Sequence, residues 1–164
     1  MNDHSIRVGI GYDIHRFSEK RELILGGVKI PFRLGLDGHS DADVLLHSIC
    51  DALLGALALG DIGKHFPNTD EQYSGISSLI LLEKVNSMIR SKGFVTNNVD
   101  SVIIAQEPKL APFILSMRSN IAKTLEVDIE SVSVKATTAE KLGSIGKLKG
   151  IASEAVVSLV NDIS

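Results

Sequence analysis

The sequence predicts an α/β (α+β) fold, a two-layer sandwich in which a mixed β-sheet packs against helices. Two observations carry this prediction. Short apolar segments with the alternating period of strands recur along the chain, and segments with a helical period separate them. With 164 residues, 44% of them hydrophobic and 23% charged, the chain is expected to form one domain over residues 1–164.

Two extended elements are predicted at the start of the chain. Apolar residues alternate with others over residues 5–12, which indicates a first strand. Two apolar pieces at residues 23–25 and 28–30 flank Gly26 and Gly27, which is typical of a hairpin.

A central helix is predicted within residues 39–63, with Ser40 or Asp41 as its N-cap. One flank of this helix is apolar and is expected to enter the core. The residues of that flank are Leu45, Leu46, Ile49, Ala52, Leu53 and Ala56.

The remaining segments continue the alternation of helices and strands. Helical periods predict helices over residues 76–91 and 112–125, and apolar alternation predicts strands over residues 99–105 and 131–136. A final helix is expected over residues 151–160.

Candidate metal ligands lie on the central helix and after the first strand. Asp43, His47 and Asp51 are four residues apart and therefore share one helix face. Asp13 and His15 are two residues apart, so on an extended chain they point to the same side. Together with His47 they offer two imidazole nitrogens and one carboxylate oxygen, which is an open zinc shell. A satisfied histidine beside a polar helix start remains the alternative.

Two further motifs each have a functional and a structural interpretation. His39 and Ser40 precede the central helix, where backbone amides favour an anion, but a simple N-cap fits equally. The Thr137-x-x-Glu140 motif matches a capping box; alternatively Thr137, Thr138 and Glu140 face a phosphate and its divalent ion.

Charge and composition exclude several classes of partner. The net charge of −3 gives no electrostatic reason to bind nucleic acid or an anionic membrane. No apolar run is long enough to span a bilayer. The single cysteine, Cys50, excludes an internal disulfide framework and fits a reducing compartment, so a cytoplasmic location is expected.

Seven motifs, read together, resemble one enzyme family. They are G-Y-D-I-H, H-S-D-A-D-V-L-L-H, D-A-L-L-G-A-L-A-L-G-D-I-G, F-P-N-T-D, I-I-A-Q-E-P-K, V-K-A-T-T-A-E-K-L-G and G-I-A-S-E-A-V. Their order and spacing, from about residue 6 to residue 160, are similar to those of the 2-C-methyl-D-erythritol 2,4-cyclodiphosphate synthases.

The resemblance implies a reaction and an assembly. The expected substrate is 4-diphosphocytidyl-2-C-methyl-D-erythritol 2-phosphate, whose 2-phosphate attacks the β-phosphorus of its own diphosphate. CMP leaves and a cyclic diphosphate remains, which is a step of the non-mevalonate route to isoprenoid precursors. Members of the family are homotrimers with active sites between subunits.

The resemblance also implies roles for individual residues. Asp13, His15 and His47 would hold zinc, or another divalent transition metal, and Glu140 would hold magnesium or manganese with the substrate diphosphate. His39 and Thr138 are implied as catalytic. The implied substrate-binding set is Asp13, His15, His39, Ser40, Asp61, Ile62, Gly63, Phe66, Pro67, Asn68, Thr69, Asp70, Ala105, Gln106, Glu107, Pro108, Lys109, Leu110, Ala111, Thr137, Thr138, Ala139, Glu140, Ser144 and Lys147.

The chain departs from the family pattern at a few positions. Many members carry G-F-T-G-R-G-E-G, where this chain has Ser144 and Lys147 in place of the Phe and Arg. In the family that Phe and Arg face a cavity on the trimer axis that can hold isoprenoid diphosphates, so these changes put that side site in doubt. Asn68 replaces a frequent aspartate, and Glu154 is expected on the final helix.

Two other functions fit part of the pattern. A metal phosphohydrolase with the same Asp-His-His shell would activate water and release inorganic phosphate or a phosphomonoester. A trimeric binding module with a structural metal would require a closed shell of four ligands, and the sequence offers three.

Overall fold

The computed structural model describes residues 5–162. The strands are β1 (Ile6–Ser18), β2 (Leu23–Leu25), β3 (Val28–Ile30), β4 (Gly35–Leu36), β5 (Phe94–Ile104), β6 (Val132–Thr137) and β7 (Gly150–Asn161). The helices are α1 (Val44–Ala56), α2 (Ile62–His65), α3 (Ser78–Ser91), α4 (Ile114–Leu125) and α5 (Gly143–Gly146). Short 3₁₀ helices lie at Glu71–Tyr73, Ala111–Phe113 and Ile129–Ser131.

Five strands form one mixed sheet in the order β4-β1-β7-β5-β6. Strands β5 and β6 are parallel, whereas β7 is antiparallel to both β1 and β5. Helix α1 packs on β1 and β7, and α3 and α4 extend the helical layer over β5 and β6. The predicted two-layer α+β sandwich is therefore confirmed.

Strand β1 and helix α1 are in unusually close contact. A Cβ atom added at Gly9 would lie 1.9 Å from the carbonyl oxygen of Ala52, and one added at Gly11 would lie 1.9 Å from that of Ser48. No side chain fits at such distances, so glycine at both positions lets the helix lie directly on the strand.

The small hairpin of β2 and β3 is attached to the start of α1 by one buried carboxylate. Gly26 and Gly27 both have positive φ angles, 57° and 68°, which confirms the predicted hairpin turn. The Asp43 carboxylate accepts hydrogen bonds from the N–H groups of Gly26 (3.0 Å), Gly27 (2.7 Å) and Leu46 (3.1 Å). Burial raises the pKa of Asp43 to about 6, even though these donors favour its ionised form.

Asp43 is therefore the N-cap of α1, and the prediction of Ser40 or Asp41 in that role is wrong. The Ser40 hydroxyl contacts His47, and the Asp41 carboxylate contacts Ser78, so neither is available for the cap. The apolar flank predicted for the helix is buried at every position.

The final helix predicted over residues 151–160 is wrong, because this segment is the strand β7 at the centre of the sheet. Ala155, Val157 and Leu159 point into the core with a period of two. Small and apolar residues on the opposite face hid that period in the sequence. Glu154 accordingly lies on a strand, with its side chain on the outer face.

Four other predicted elements are confirmed, with ends shifted by a few residues. They are α3, which begins after the N-cap Ser77, α4, β5 and β6.

The outer face of the sheet, opposite α1, carries a row of exposed apolar residues. The alternation that predicted the first strand places these side chains away from α1, because the glycines of β1 occupy the helix side. This outer apolar face consists of Ile6, Val8, Ile10, Tyr12 and Ile14 of β1 and Val156 of β7. Contiguous apolar surface of this kind is typical of an interface.

Replacing Asp43 with alanine is expected to lower the free energy of unfolding by about 2 kcal/mol, since the helix cap is lost and two hairpin N–H groups lose their acceptor. Denaturant unfolding measures the change. The matched control is Asp128→Ala, because Asp128 caps only an exposed 3₁₀ helix. An equal loss in both variants would contradict the role assigned to Asp43.

Candidate active site

Three side chains from β1 and α1 converge at one point. The Asp13 Oδ2 atom lies 2.8 Å from His15 Nε2 and 3.0 Å from His47 Nδ1, and the two histidine nitrogens are 3.2 Å apart. Within residues 5–162 this is the cluster whose donor atoms could share a metal ion. The predicted convergence of these three residues, which no spacing in the sequence could establish, is confirmed.

The ring of His15 is oriented by a backbone carbonyl. Its Nδ1 atom lies 2.6 Å from the carbonyl oxygen of Asp37, which can only accept a hydrogen bond. The Nδ1–H group therefore donates, which leaves Nε2 facing the cluster, where it donates to Asp13 when the ring is protonated and offers a lone pair to a metal ion when the ring is neutral.

His47 is held from the other side by hydroxyl groups. Its Nε2 atom lies 3.0 Å from both Ser40 Oγ and Ser78 Oγ, while Nδ1 faces Asp13. The residue is only 7% exposed, so its side chain is almost entirely enclosed by the fold. The rings of His15 and His47 meet edge to face, with centroids 5.3 Å apart.

The electrostatics of the cluster favour an ionised carboxylate. Burial opposes the charge of Asp13, but hydrogen bonds and charge interactions with His15 and His47 outweigh it and hold the pKa of Asp13 well below its ordinary value. Burial likewise opposes a charged His15, yet the hydrogen bond to Asp13 raises the pKa of that imidazole. A group of this charge and geometry suits a divalent cation.

The cluster opens into a polar cavity of about 260 Å³. Predicted site residues that line this metal-site cavity are Asp13, His15, His39, Ser40, His47, Ile62, Gly63, Phe66 and Asn68. Asp51 also lines it; burial raises the pKa of this carboxylate, although it accepts a hydrogen bond from Ile62 N. Of the polar helix face, His47 and Asp51 thus reach the cavity, whereas Asp43 turns away to the hairpin.

Four other predicted residues between positions 61 and 70 do not line the metal-site cavity. Asp61 caps α2, and Asp70 caps the 3₁₀ helix Glu71–Tyr73. Pro67 and Thr69 lie between them and do not line the cavity. The His39 ring lies 3.3 Å from the carbonyl oxygen of Asp70. This contact joins the residues before α1 to the end of the loop.

A second cavity, of about 210 Å³, lies where β5 and β6 end. Predicted residues that line it are Ala105, Gln106, Pro108, Lys109, Leu110, Ala111, Thr137 and Thr138. It shares no lining residue with the metal-site cavity. Strand pairing places Asp13, Ser153, Ile103 and Ala136 in one row across the sheet, so three strand spacings, about 14 Å, separate the backbones of Asp13 and Ala136, which line the two cavities.

The loop after β6 does not form the capping box that the Thr137-x-x-Glu140 pattern matches. The Thr138 hydroxyl instead contacts the Glu140 carboxylate at 3.1 Å and accepts from the Glu140 N–H at 3.3 Å. Glu140 and Lys141 both have positive φ angles, 49° and 63°. Strained residues of this kind cluster at functional sites.

Three other predicted residues occupy separate positions. Glu107 does not line the second cavity, although its neighbours do. Ser144, on α5, lines a hollow of about 490 Å³ together with residues of β1 that include Ile14 and Phe17. Lys147 follows α5 and does not line that hollow.

Sequence analysis missed several residues that build the metal-site cavity. Gly38, Tyr73 and Leu81 line it, while Asp41 and Ser78 stand behind His47. Ser78 follows the cap of α3, and nothing in the local pattern distinguishes it from an ordinary residue of a first helical turn. The carbonyl of Asp37 has no signal in the sequence.

Three candidate ligands beside a cavity, on an α+β fold, are consistent with a metal-dependent enzyme. The YgbB family model matches residues 6–160. The protein named 2-C-methyl-D-erythritol 2,4-cyclodiphosphate synthase in Alkaliphilus metalliredigens is 62% identical over 154 residues, which are 94% of this chain and 97% of that protein. The chain therefore belongs to the YgbB family of 2-C-methyl-D-erythritol 2,4-cyclodiphosphate synthases, and the family and enzyme predicted from the sequence are confirmed.

Solved structures agree with this membership. The bifunctional IspDF from Campylobacter jejuni matches this chain with a TM-score of 0.93 and 46% sequence identity. The match covers 97% of this chain and 43% of the longer IspDF chain. The IspF of Plasmodium falciparum, solved as a CDP complex, matches with a TM-score of 0.84 and 40% sequence identity. This match covers 96% of this chain and 97% of the Plasmodium chain. No helix in the described part of the chain is long and apolar enough to cross a membrane.

Replacing His47 with alanine is expected to abolish stoichiometric zinc binding and turnover, because one of three ligands is lost. Metal analysis after dialysis and circular dichroism measure zinc content and folding. His65→Ala is the matched control, since the His65 ring lies outside the cluster, where it contacts the carbonyl of Leu59 and the ring of Phe66. Full zinc content in the folded His47 variant would rule out this ligand assignment.

Proposed function

We propose that this chain converts 4-diphosphocytidyl-2-C-methyl-D-erythritol 2-phosphate to 2-C-methyl-D-erythritol 2,4-cyclodiphosphate, with release of CMP. The observation that carries the proposal is the open Asp13-His15-His47 cluster at the head of a polar cavity. Relatives that cover nearly the whole chain bear the name of this enzyme.

The donor set fits zinc. Asp13 supplies a carboxylate oxygen, and the supports of His15 and His47 leave one lone pair of each ring facing the same point. We assign zinc, or a similar divalent transition metal, to these three residues, and magnesium or manganese to Glu140 together with the substrate diphosphate. When bound, such cations supply Lewis acidity and offset the repulsion between two phosphate groups.

The residues of the chain contribute positioning more than proton transfer. The attacking phosphate is already ionised near neutral pH, so the reaction does not require a general base. His39 and Ser40 border the cluster, where they would hold the phosphate that is attacked, and Thr138 would hold the other end of the diphosphate. Fixing nucleophile and target in line contributes most of the rate enhancement in this account.

The two cavities would bind opposite ends of the substrate. The loop of Asp61 to Gly63 and Phe66 to Asp70 would take the erythritol and ribose side, beside the metal. The residues from Ala105 to Ala111, with Thr137, would take the cytidine phosphate end. The CDP complex of the Plasmodium falciparum protein supports a cytidine nucleotide as the ligand.

The geometry also supports the proposed homotrimer with active sites between subunits. About 14 Å of sheet separates the metal cluster from the loop of Glu140 within one chain, so a compact site requires the β6 end of a second chain. The outer apolar face offers a surface for that contact. We also place the enzyme in the cytoplasm, where a reduced, buried Cys50 is stable.

A phosphorus NMR time course tests the reaction. The purified protein is given the cytidyl diphosphate substrate with zinc and magnesium, next to a chelated control. Two coupled resonances of a cyclic diphosphate should appear together with CMP, and chelation should prevent both. Inorganic phosphate or an open-chain diphosphate would instead identify a metal phosphohydrolase.

Glu140→Gln is expected to weaken the dependence on added magnesium while leaving zinc content unchanged, because Glu140 is not one of the three residues assigned to zinc. Magnesium titration of the initial rate and metal analysis measure the two effects. Glu83→Gln, at an exposed position of α3, is the matched control. An unchanged magnesium titration would limit Glu140 to its contact with Thr138.

Ile10→Glu is expected to dissociate the trimer, because it places a charge in the outer apolar face, where Ile10 is 72% exposed in a single chain. Sedimentation should then give the mass of one 17.6 kDa chain rather than three. Leu115→Glu is the control, since Leu115 is 66% exposed but lies on α4 in the helical layer. A trimer that survives Ile10→Glu would move the interface elsewhere.

A further inference from the structure

A chain of hydrogen bonds leads from His47 to the start of α3. The Nε2 atom of His47 lies 3.0 Å from Ser78 Oγ, and the Ser78 hydroxyl in turn contacts Asp41 Oδ1. The second oxygen of the same carboxylate accepts the backbone N–H of Ser78 at 3.0 Å. Asp41 therefore holds Ser78 through both its main chain and its side chain.

The direction of this chain follows from the number of protons available. An ionised carboxylate only accepts hydrogen bonds, so the single hydroxyl proton of Ser78 points to Asp41. The Ser78 oxygen then presents a lone pair to His47, and His47 must donate from Nε2. A neutral imidazole that carries its proton on Nε2 has its lone pair on Nδ1, the atom that would bind a metal ion in place of its hydrogen bond with Asp13.

The surroundings keep this arrangement rigid. Ser78 is fully buried and His47 nearly so, which removes water as a competing partner. Asp41 lies at the N-terminus of α3, where the helix dipole stabilises a negative charge. Asp41 is anchored in addition by its own N–H, which donates to the carbonyl of Ile76 at 3.0 Å.

We propose that Ser78 and Asp41 are positioning residues that fix the tautomer and orientation of His47 for metal binding. The proposal rests on the metal site of the proposed function. Ser78 would then support His47 as the carbonyl of Asp37 supports His15. Each ring is fixed through the nitrogen that faces away from the cluster.

Ser40 is the competing partner, since its hydroxyl also lies 3.0 Å from His47 Nε2. The Ser40 oxygen already accepts the N–H of Ala42, at 3.2 Å, and no carboxylate fixes the direction of its proton. Ser40 is therefore free to donate or to accept, whereas Ser78 is restricted to accepting. The tautomer of His47 therefore depends on Ser78.

The test measures zinc affinity by competition with a chromophoric chelator, in wild-type protein and in variants, without reference to turnover. Ser78→Ala and Asp41→Asn should each weaken zinc binding by about 10- to 100-fold. The double variant should be no weaker than the worse of the two, because both act through one chain of hydrogen bonds. Ser87→Ala, on the exposed side of the same helix, should bind zinc as the wild type does.

Asp41→Asn keeps the shape of the side chain, so it remains informative if Ser78→Ala does not fold. Its amide oxygen can still accept from Ser78 N, and its NH₂ group would then donate to the Ser78 hydroxyl. That reversal turns the Ser78 proton toward His47 Nε2 and opposes the tautomer that metal binding requires. Proton NMR of the zinc-loaded protein adds a second readout: the His47 Nε2–H signal should exchange with solvent faster in Asp41→Asn than in wild type.

The outcomes separate the two proposals. Wild-type zinc affinity in folded Ser78→Ala and Asp41→Asn would overturn the positioning role and leave the metal site intact. Additive losses in the double variant would also overturn it, since independent effects do not come from one hydrogen-bond chain. Failure of the wild-type protein to bind zinc would instead remove the metal site on which the proposed function depends.

Discussion

The contact between β1 and α1 is the constraint on which the rest of the structure depends. Gly9 and Gly11 let the helix backbone lie directly on the strand. The same strand continues to Asp13 and His15, and the same helix carries His47, so the closeness of the two elements brings three donor atoms within 4.8 Å of one another. A side chain at either glycine would push the helix outward and open the cluster. The packing of β1 against α1 therefore also brings the candidate metal ligands together.

The same contact determines the character of the outer surface of the sheet. Because Gly9 and Gly11 occupy the helix side of β1, the apolar side chains from Ile6 to Ile14 point to the opposite face of the sheet, where they are exposed. The width of the sheet separates the metal cluster from the second cavity at the end of β6. A single chain thus carries two separate cavities and an exposed apolar surface, which the proposed assembly would bring together.

Sequence reasoning recovered the fold class, the hairpin at Gly26-Gly27, the apolar flank of α1 and the three residues of the metal cluster. The fold class, the hairpin and the apolar flank follow from local periodicity, whereas the convergence of the three ligands was expected from the family resemblance, because no spacing in the sequence could establish it. It failed where tertiary contacts decide the outcome. Strand β7 is central in the sheet and has small or apolar residues on both faces, so its period of two was hidden. Asp43 takes the cap of α1 because Ser40 and Asp41 are bound to His47 and Ser78, partners that adjoin neither of them in sequence. The support of His15 is a backbone carbonyl, which no residue pattern can reveal.

The most direct test of this account is complementation between two inactive variants. His47→Ala removes the metal cluster, and a Thr138→Ala/Glu140→Ala double variant removes the loop after β6. Each protein alone should be inactive, whereas random mixing of the two into trimers should restore about a quarter of the wild-type rate, because one site in each mixed trimer has both halves intact. No recovery in trimers shown to contain both chains would mean that each site is built within one chain, and would contradict the account.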